Sequence, residues 1–360
     1  MNMIKDRLTR LRAFLREKKI DAILINKEVN LHYFSGFRGD DTVILVSADK
    51  ALLITDSRYT EQAGKEAPLF TVIEQKKGLW QRAAECVQET GWKSLAFEGN
   101  ALFFADYVKF KGLLPDSAQE TTPVNLSSLR VIKEPEEIAC IRKAAAIADA
   151  AFNDILGFIR PGISEAAVAA RLEATMRNLG SERPAFTTIV ASGIRGSLPH
   201  GVATEKLIVD GEFVTMDFGA VYQGYHSDMT RTVSVGRADG RQRQIYNMVL
   251  DAQLLGVSEV RPGVSGKAVD AAVRQQIAEA GYRKNFGHGL GHSLGLEIHE
   301  EPRLSPSSTC ERLEPNMLVT VEPGVYLPGW GGLRIEDTVL VTVQGNEPLT
   351  ASKKDLIEIL

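Results

Sequence analysis

Asn285-Phe286-Gly287-His288-Gly289-Leu290-Gly291-His292-Ser293-Leu294-Gly295-Leu296-Glu297-Ile298-His299-Glu300 is the stretch around which the rest of the chain is organised. It holds His288, His292 and His299, half of the six histidines in the sequence. Gly287, Gly289, Gly291 and Gly295 lie among them. An interior glycine costs a helix about 1 kcal/mol against alanine, so this density argues against a plain helix and for backbone that approaches something closely. Histidines on tightly turned backbone suit a metal or catalytic site. A glycine-rich turn with incidental histidines is the plain alternative, and the acids elsewhere in the chain decide between the two.

Those acids sit in apolar, strand-like surroundings. Glu212–Ala220 and Tyr225–Val235 both alternate like strands, with Tyr222-Gln223-Gly224 between them. A hairpin turn centred on Tyr222-Gln223 sets Asp217 directly opposite Asp228 on one face, with Cβ atoms roughly 5 Å apart. Like charges at that distance repel, so a proton or a cation must lie between them, and a divalent metal meets the need most simply. Glu322 closes the apolar run Met317–Val321 and precedes Pro323-Gly324, a strand terminator. Glu336 lies within Leu333–Val341, otherwise a buried-looking strand. An unpaired charge there is costly, so Glu336 is either a site residue or the salt-bridge partner of Arg334, two positions away. With His292 these acids form an oxygen-rich donor set suited to Mn²⁺, Fe²⁺ or Co²⁺, with Zn²⁺ also compatible. Four carboxylates exceed the need of one ion and point to two, roughly 3.5 Å apart and bridged. No His-Glu-x-x-His helix is present.

The chain of 360 residues is long for one core and points to two domains. Hydrophobic content of 44% and charged content of 24% are those of a soluble globular protein. A net charge of −4 speaks against nucleic-acid binding. Cys86, Cys140 and Cys310 are scattered and odd in number, which speaks against a disulfide framework and for a reducing compartment. No run reaches the ~18 apolar residues of a membrane span, and Met1–Lys19 reads as an amphipathic helix (Ile4, Leu8, Leu11, Leu15), not a signal peptide; a cytoplasmic location is expected.

Strand-like runs at Asp21–Ile25, Thr42–Ser47, Ala51–Thr55, Phe70–Glu74 and Ser94–Phe97 alternate with helical patterns, so the first part is an α/β domain with a mixed sheet. Asp40, Asp41, Asp56 and Arg58 read as turn and surface residues there. Pro115–Ser128 lacks periodicity and reads as a linker, giving domains 1–127 and 128–360. Lys133-Glu134-Pro135-Glu136-Glu137 then opens a helix running to about Leu156. Arg160-Pro161-Gly162-Ile163-Ser164 and Arg261-Pro262-Gly263-Val264-Ser265 each precede an alanine-rich helix, and their echo suggests a duplication with pseudo-symmetric α/β halves and a site between them.

These residues, Met216-Asp217-Phe218-Gly219, Ser227-Asp228-Met229-Thr230-Arg231-Thr232, His288 through Glu300, Thr320-Val321-Glu322-Pro323-Gly324 and Arg334-Ile335-Glu336-Asp337, carry a resemblance. The chain resembles the metal-dependent pita-bread peptidases of the Xaa-Pro aminopeptidase and Xaa-Pro dipeptidase (prolidase) group, including a creatinase-like N-terminal α/β domain without catalytic residues. The resemblance implies a metallopeptidase that hydrolyses the Xaa-Pro bond of dipeptides or at the N-terminus of short proline-containing peptides. It places Asp217, Asp228, His292, Glu322 and Glu336 on two divalent ions, Mn²⁺ foremost, which would ionise a water. It makes Glu322 the proton shuttle, His200 and His299 substrate contacts, and His288 and Arg334 supporting residues. Tyr326 is a further candidate, and His226 is left outside the site. A homodimer is also implied. A methionine-aminopeptidase-like enzyme, a metal-free creatinase-like hydrolase and a non-catalytic binding protein on the same fold are the alternatives; the long first domain disfavours the first and the intact ligand set the other two.

Overall fold

The computed structural model describes residues 2–360, which divide into two units at Arg130/Val131. The first contains helices α1 (Asn2–Lys18), α2 (Glu28–Ser35), α3 (Thr60–Glu66), α4 (Leu79–Thr90) and α5 (Phe104–Leu113) and strands β1 (Ala22–Ile25), β2 (Val43–Ser47), β3 (Ala51–Thr55), β4 (Thr71–Glu74), β5 (Ser94–Glu98) and β6 (Glu120–Val124). The strands form one mixed six-stranded sheet in the order β4-β3-β2-β1-β5-β6. Leu8, Leu11 and Leu15 are the buried stripe of α1. The sequence pattern does not reveal α2, because polar Asn30 and Ser35 are buried together with Leu31, Tyr33 and Phe34, so burial in this short helix does not follow polarity. The segment read as a linker contains β6, an edge strand parallel to β5. Its side chains are largely exposed, and Pro123 is tolerated there because an edge strand leaves one row of amides unpaired.

The second unit comprises α6 (Pro135–Ile155), α7 (Glu165–Asn178), β7 (Ile189–Ser192), β8 (Phe213–Phe218), β9 (Val221–Tyr222), β10 (Tyr225–His226), β11 (Met229–Val235), α8 (Gly240–Glu259), α9 (Gly266–Glu279), β12 (Gly291–Ser293), β13 (Glu300–Leu304), β14 (Leu318–Val321), β15 (Gly324–Leu327), β16 (Gly331–Arg334), β17 (Asp337–Thr342), β18 (Gly345–Pro348) and β19 (Glu358–Ile359). α6 opens with Pro135 inside a capping box of Glu134 and Glu137, and α8 with one of Asp239 and Gln242. The two Arg-Pro-Gly motifs are structurally equivalent. Gly162 and Gly263 share a φ of 87°, and Ser164 and Ser265 cap α7 and α9 by accepting from Ala167 N and Ala268 N. Helices α6 and α7 pack on the sheet β19-β11-β8-β7 around Phe152, Leu172, Met216 and Val233. Helices α8 and α9 accompany the sheet β14-β17-β18 around Val249, Val273, Val319 and Val339. The halves are the expected pseudo-symmetric pair. No helix among the described residues is long and apolar enough to cross a membrane.

Two local expectations need correction. The turn lies at Gln223-Gly224, both with positive φ (49° and 82°), because a two-residue hairpin loop of the I′ kind matches strand twist. Asp217 therefore pairs with Thr230, and Asp228 sits diagonally from it. A two-residue change of partner leaves side-chain faces unchanged, so both acids still share one face. Glu336 is not inside a strand: it lies at the break between β16 and β17, where its amide donates to Thr230 O at 3.1 Å.

The glycines of the opening stretch are close-approach residues. A Cβ on Gly291 would lie 1.9 Å from Thr320 O, whereas one on Gly287 would meet nothing within 4 Å. Gly291→Ala should therefore cost about 1–3 kcal/mol, a fall in Tm of roughly 3–10 °C, with Gly287→Ala as the near-neutral control in the same melting experiment.

Candidate metal and active site

β8 supplies Asp217 from its penultimate position, and the crossing before β11 supplies Asp228. β12 contributes His292, the end of β14 Glu322, and the β16–β17 break Glu336. One cavity of about 640 Å³, lined by residues of the second unit, receives all five together with His200, His288, His299 and Arg334. Every residue singled out for the site is thus brought to one place, except Tyr326, which stands behind His288 and Arg334. His226 is elsewhere: its Nδ1 lies 3.1 Å from Gly295 O.

Asp217, Asp228 and Glu336 each present a carboxylate oxygen within 4.8 Å of the others. Asp217 Oδ1, Asp228 Oδ1 and Glu336 Oε1 are buried and have no hydrogen-bond partner among the described residues. Two of the remaining oxygens are fixed from outside. Arg334 Nη2 donates to Asp217 Oδ2 at 2.6 Å, and Thr230 Oγ1 donates to Glu336 Oε2 at 2.6 Å. Arg334 is therefore spent on Asp217 and is not the salt-bridge partner of Glu336. Thr320 Oγ1 donates to Glu322 Oε1 at 3.0 Å.

His292 closes the ring. Its Nδ1 lies 3.0 Å from Ser293 O, and since a carbonyl only accepts, Nδ1 carries the proton and Nε2 presents a lone pair. Nε2 faces Glu322 Oε1 at 3.4 Å and Asp228 Oδ2 at 3.5 Å. Burial, with His299 and Arg303 nearby, lowers the His292 pKa to about 3, so the ring is neutral. Burial, then the charges of Glu336, Asp217 and Glu322, raises Asp228 well above the carboxylate range. Glu336 is raised likewise by burial and by Glu322 and Asp217, and Glu322 is pushed to about 7 by burial and Asp217. Orphaned oxygens and an imidazole lone pair, converging with no donor from the surrounding scaffold between them, form a donor set that fits divalent cations.

Around this centre Arg334 Nη1 donates to the Tyr326 hydroxyl at 2.7 Å, which lies 3.0 Å from His288 Nε2. Burial lowers His288 to about 4, and its Nδ1 lies 2.8 Å from Gly289 O, so Nε2 accepts from Tyr326. His299 packs edge-on against His292 with ring centroids 4.4 Å apart, and burial followed by Arg303 lowers its pKa. The sequence did not reveal Arg303 or the apolar wall of Phe186, Ile189, Val202 and Ile298, because cavity walls carry no periodic signal. Thr230 was legible in principle: it lies two positions from Asp228, hence on the same strand face.

The raised carboxylates make metal binding and pH one equilibrium. In the metal-free fold Asp228, Glu322 and Glu336 hold protons that the unfolded chain releases near pH 4, so their contribution is present at low pH and lost as pH rises through their folded values. The lowered histidines act oppositely, but only below their unfolded value of about 6.5. Above pH 6.5 the carboxylates alone titrate. The Tm of metal-stripped protein should therefore fall between pH 6.5 and 8, and the Tm gain on adding Mn²⁺ should be larger at pH 8 than at pH 6. Equal gains at both values would contradict this proton–metal competition.

Residues 139–343 match the model of metallopeptidase family M24, and residues 7–132 that of the creatinase/prolidase N-terminal domain. The chain is 41% identical to the Xaa-Pro dipeptidase of Pyrococcus furiosus, over 98% of this chain and 100% of that one. It superposes on a Xaa-Pro dipeptidase from Bacillus anthracis with a TM-score of 0.95 at 46% identity, covering 99% of each chain. An X-Pro aminopeptidase from Thermotoga maritima gives a TM-score of 0.90 at 37% identity, covering 98% of this chain and 99% of that one. With the N-terminal domain, the paired halves and the acid-rich cavity all in place, the chain belongs to metallopeptidase family M24.

Proposed function

We propose that this hydrolase cleaves the Xaa-Pro bond, with dipeptides as its preferred substrates. The observation that carries it is the convergence of three unpartnered buried carboxylate oxygens in a cavity with one apolar wall and one arginine not engaged by the acids. Asp217, Asp228, His292, Glu322 and Glu336 would hold two divalent ions, manganese foremost given the oxygen-rich donors. Bound there, such ions supply Lewis acidity and an ionised water near neutral pH.

The residues of the chain do the rest. Glu322, with Oε1 engaged by Thr320, has Oε2 available to accept the proton of the attacking water and deliver it to the leaving nitrogen. That nitrogen belongs to a tertiary amide with no N–H, so protonation there is what releases proline as an amine. His299, held neutral, offers an N–H to the carbonyl oxygen, and His200 faces the same cavity. Phe186, Ile189, Val202 and Ile298 form the surface on which a proline ring can be desolvated. Arg303 lines the cavity and, among the described residues, is held by Glu301 at 3.5 Å through Nε, so the end of its guanidinium is available for the free carboxylate that a dipeptide ends in. A homodimer in a reducing cytoplasm belongs to the same proposal, supported by the exposure of Phe103 and Phe104 (78% and 79%) and by a count of three cysteines, which does not suit a disulfide framework.

Steady-state assays of Xaa-Pro dipeptides, Xaa-Pro tripeptides and Met-Ala-Ser with Mn²⁺ test the proposal. Dipeptide turnover with little cleavage of the others is expected, and preference for Met-Ala-Ser would refute it. Arg303→Gln should raise the dipeptide KM by about tenfold or more, the worth of a charge-assisted pair, and leave any tripeptide KM unchanged. Asp228→Asn should lower kcat by at least about 10³-fold, as loss of a metal ligand would. The same variant should keep or raise the Tm of metal-free protein, since it removes one repelling acid.

A further inference from the structure

We infer that Glu165 is the positioning residue that presents His200 to the substrate, an inference that rests on the substrate contact proposed for His200. Glu165 is the first residue of α7, lies fully buried, and is far from the metal-binding acids in sequence. Its Oε1 accepts from Ser192 N at 2.7 Å and Ser192 Oγ at 2.8 Å. Its Oε2 accepts from Thr204 Oγ1 at 2.8 Å, from Thr204 N at 3.2 Å and from Arg195 Nη1. These donors bracket residues 192–204, the loop that carries His200. Arg195 extends the clamp by donating to Val202 O at 2.8 Å.

Apolar side chains do little to hold this loop. Ile194, Leu198 and Val202 are 55%, 52% and 48% exposed, so apolar burial contributes little to its order. The other supports are polar or backbone, among them a bridge between Val202 and Ile189, Lys206 Nζ donating to Ser192 Oγ at 2.8 Å, Arg334 Nη1 reaching Pro199 O at 3.3 Å, and Gly196 lying against Gly332. A fully buried carboxylate satisfied by donors from both ends of a loop fixes that loop in a way exposed aliphatic side chains cannot.

The duplication strengthens the assignment. In the second half the residue matching Glu165, directly after the capping serine, is Gly266. A Cβ there would lie 2.4 Å from Arg303 O and 2.5 Å from Ser308 Oγ. Both first-turn positions thus abut a loop that lines the cavity, one by a carboxylate and the other by direct backbone contact. Glu165 is where the first half substitutes a charged clamp for packing.

Glu165→Gln preserves shape while removing charge and acceptor capacity. It should lower kcat for an Xaa-Pro dipeptide about 10–100-fold, the scale of a small misplacement of a contact residue, with Mn²⁺ affinity unchanged. In a His200→Ala background the same change should cost less than about threefold, because the clamp then has nothing to position. Amide exchange at Ser192 and Thr204 should accelerate in Glu165→Gln while that of residues 213–235 stays protected. Thr204→Val, which removes one hydroxyl donor, should reproduce a milder form of each effect if Glu165→Gln folds poorly. Equal losses with and without His200, or unchanged exchange at Ser192 and Thr204, would overturn the inference alone. A wild-type rate in His200→Ala would sink the role of His200 and the inference with it.

Discussion

Mutual repulsion among Asp217, Asp228, Glu322 and Glu336 is the constraint on which the site depends. Burial penalises each charge, and each neighbour adds to the penalty, so without a cation Asp228 and Glu336 are driven far above the carboxylate range. His292 does not relieve them, since its proton is committed to Ser293 O and its lone pair adds to the crowding. Such a cluster is a poor way to stabilise a fold and a good way to bind positive charge. Its persistence requires scaffolding that holds the acids by atoms not aimed inward.

That scaffolding is specific. Thr230 accepts from Arg334 Nε at 3.0 Å and donates to Glu336, so one hydroxyl orients two site residues. One position on, Arg231 donates to Thr230 O at 2.9 Å, to Glu336 O and to Asp337 Oδ1 at 2.7 Å. Glu336 and Asp337 are adjacent yet opposite in character. Burial pushes both upward, but Arg231 and Lys354 hold Asp337 below the carboxylate range while Glu336 rises. The alternation of a short extended segment puts one acid toward the cavity and the other into an ion pair behind it. In the first half, Glu165 extends the same principle to the His200 loop.

Much of this was legible in the sequence, for identifiable reasons. Each acid of the centre stands out because a charge in an apolar, strand-like run has no cheap structural explanation, and the two Arg-Pro-Gly motifs expose the duplication directly. Facing in a hairpin depends only on parity, so Asp217 and Asp228 could be assigned to one face although the turn lies one residue further on. What depends on three-dimensional enclosure was not legible. The break that frees Glu336 from a strand, the edge strand β6 with its polar exposed side chains, and the short α2 with its buried polar residues all lack a periodic signature. Arg303 and Glu165 were missed for a related reason: an exposed-looking arginine and a first-turn glutamate are common surface residues, and only the fold shows what surrounds them.

If crowded, protonated acids are what a cation replaces, metal entry must expel protons. Calorimetric titration of metal-stripped protein with Mn²⁺ near pH 7, repeated in buffers of different ionisation enthalpy, measures this directly. Saturable binding of two ions per chain with release of at least about one proton is the expected result. Binding without proton release, or no saturable binding, would contradict it.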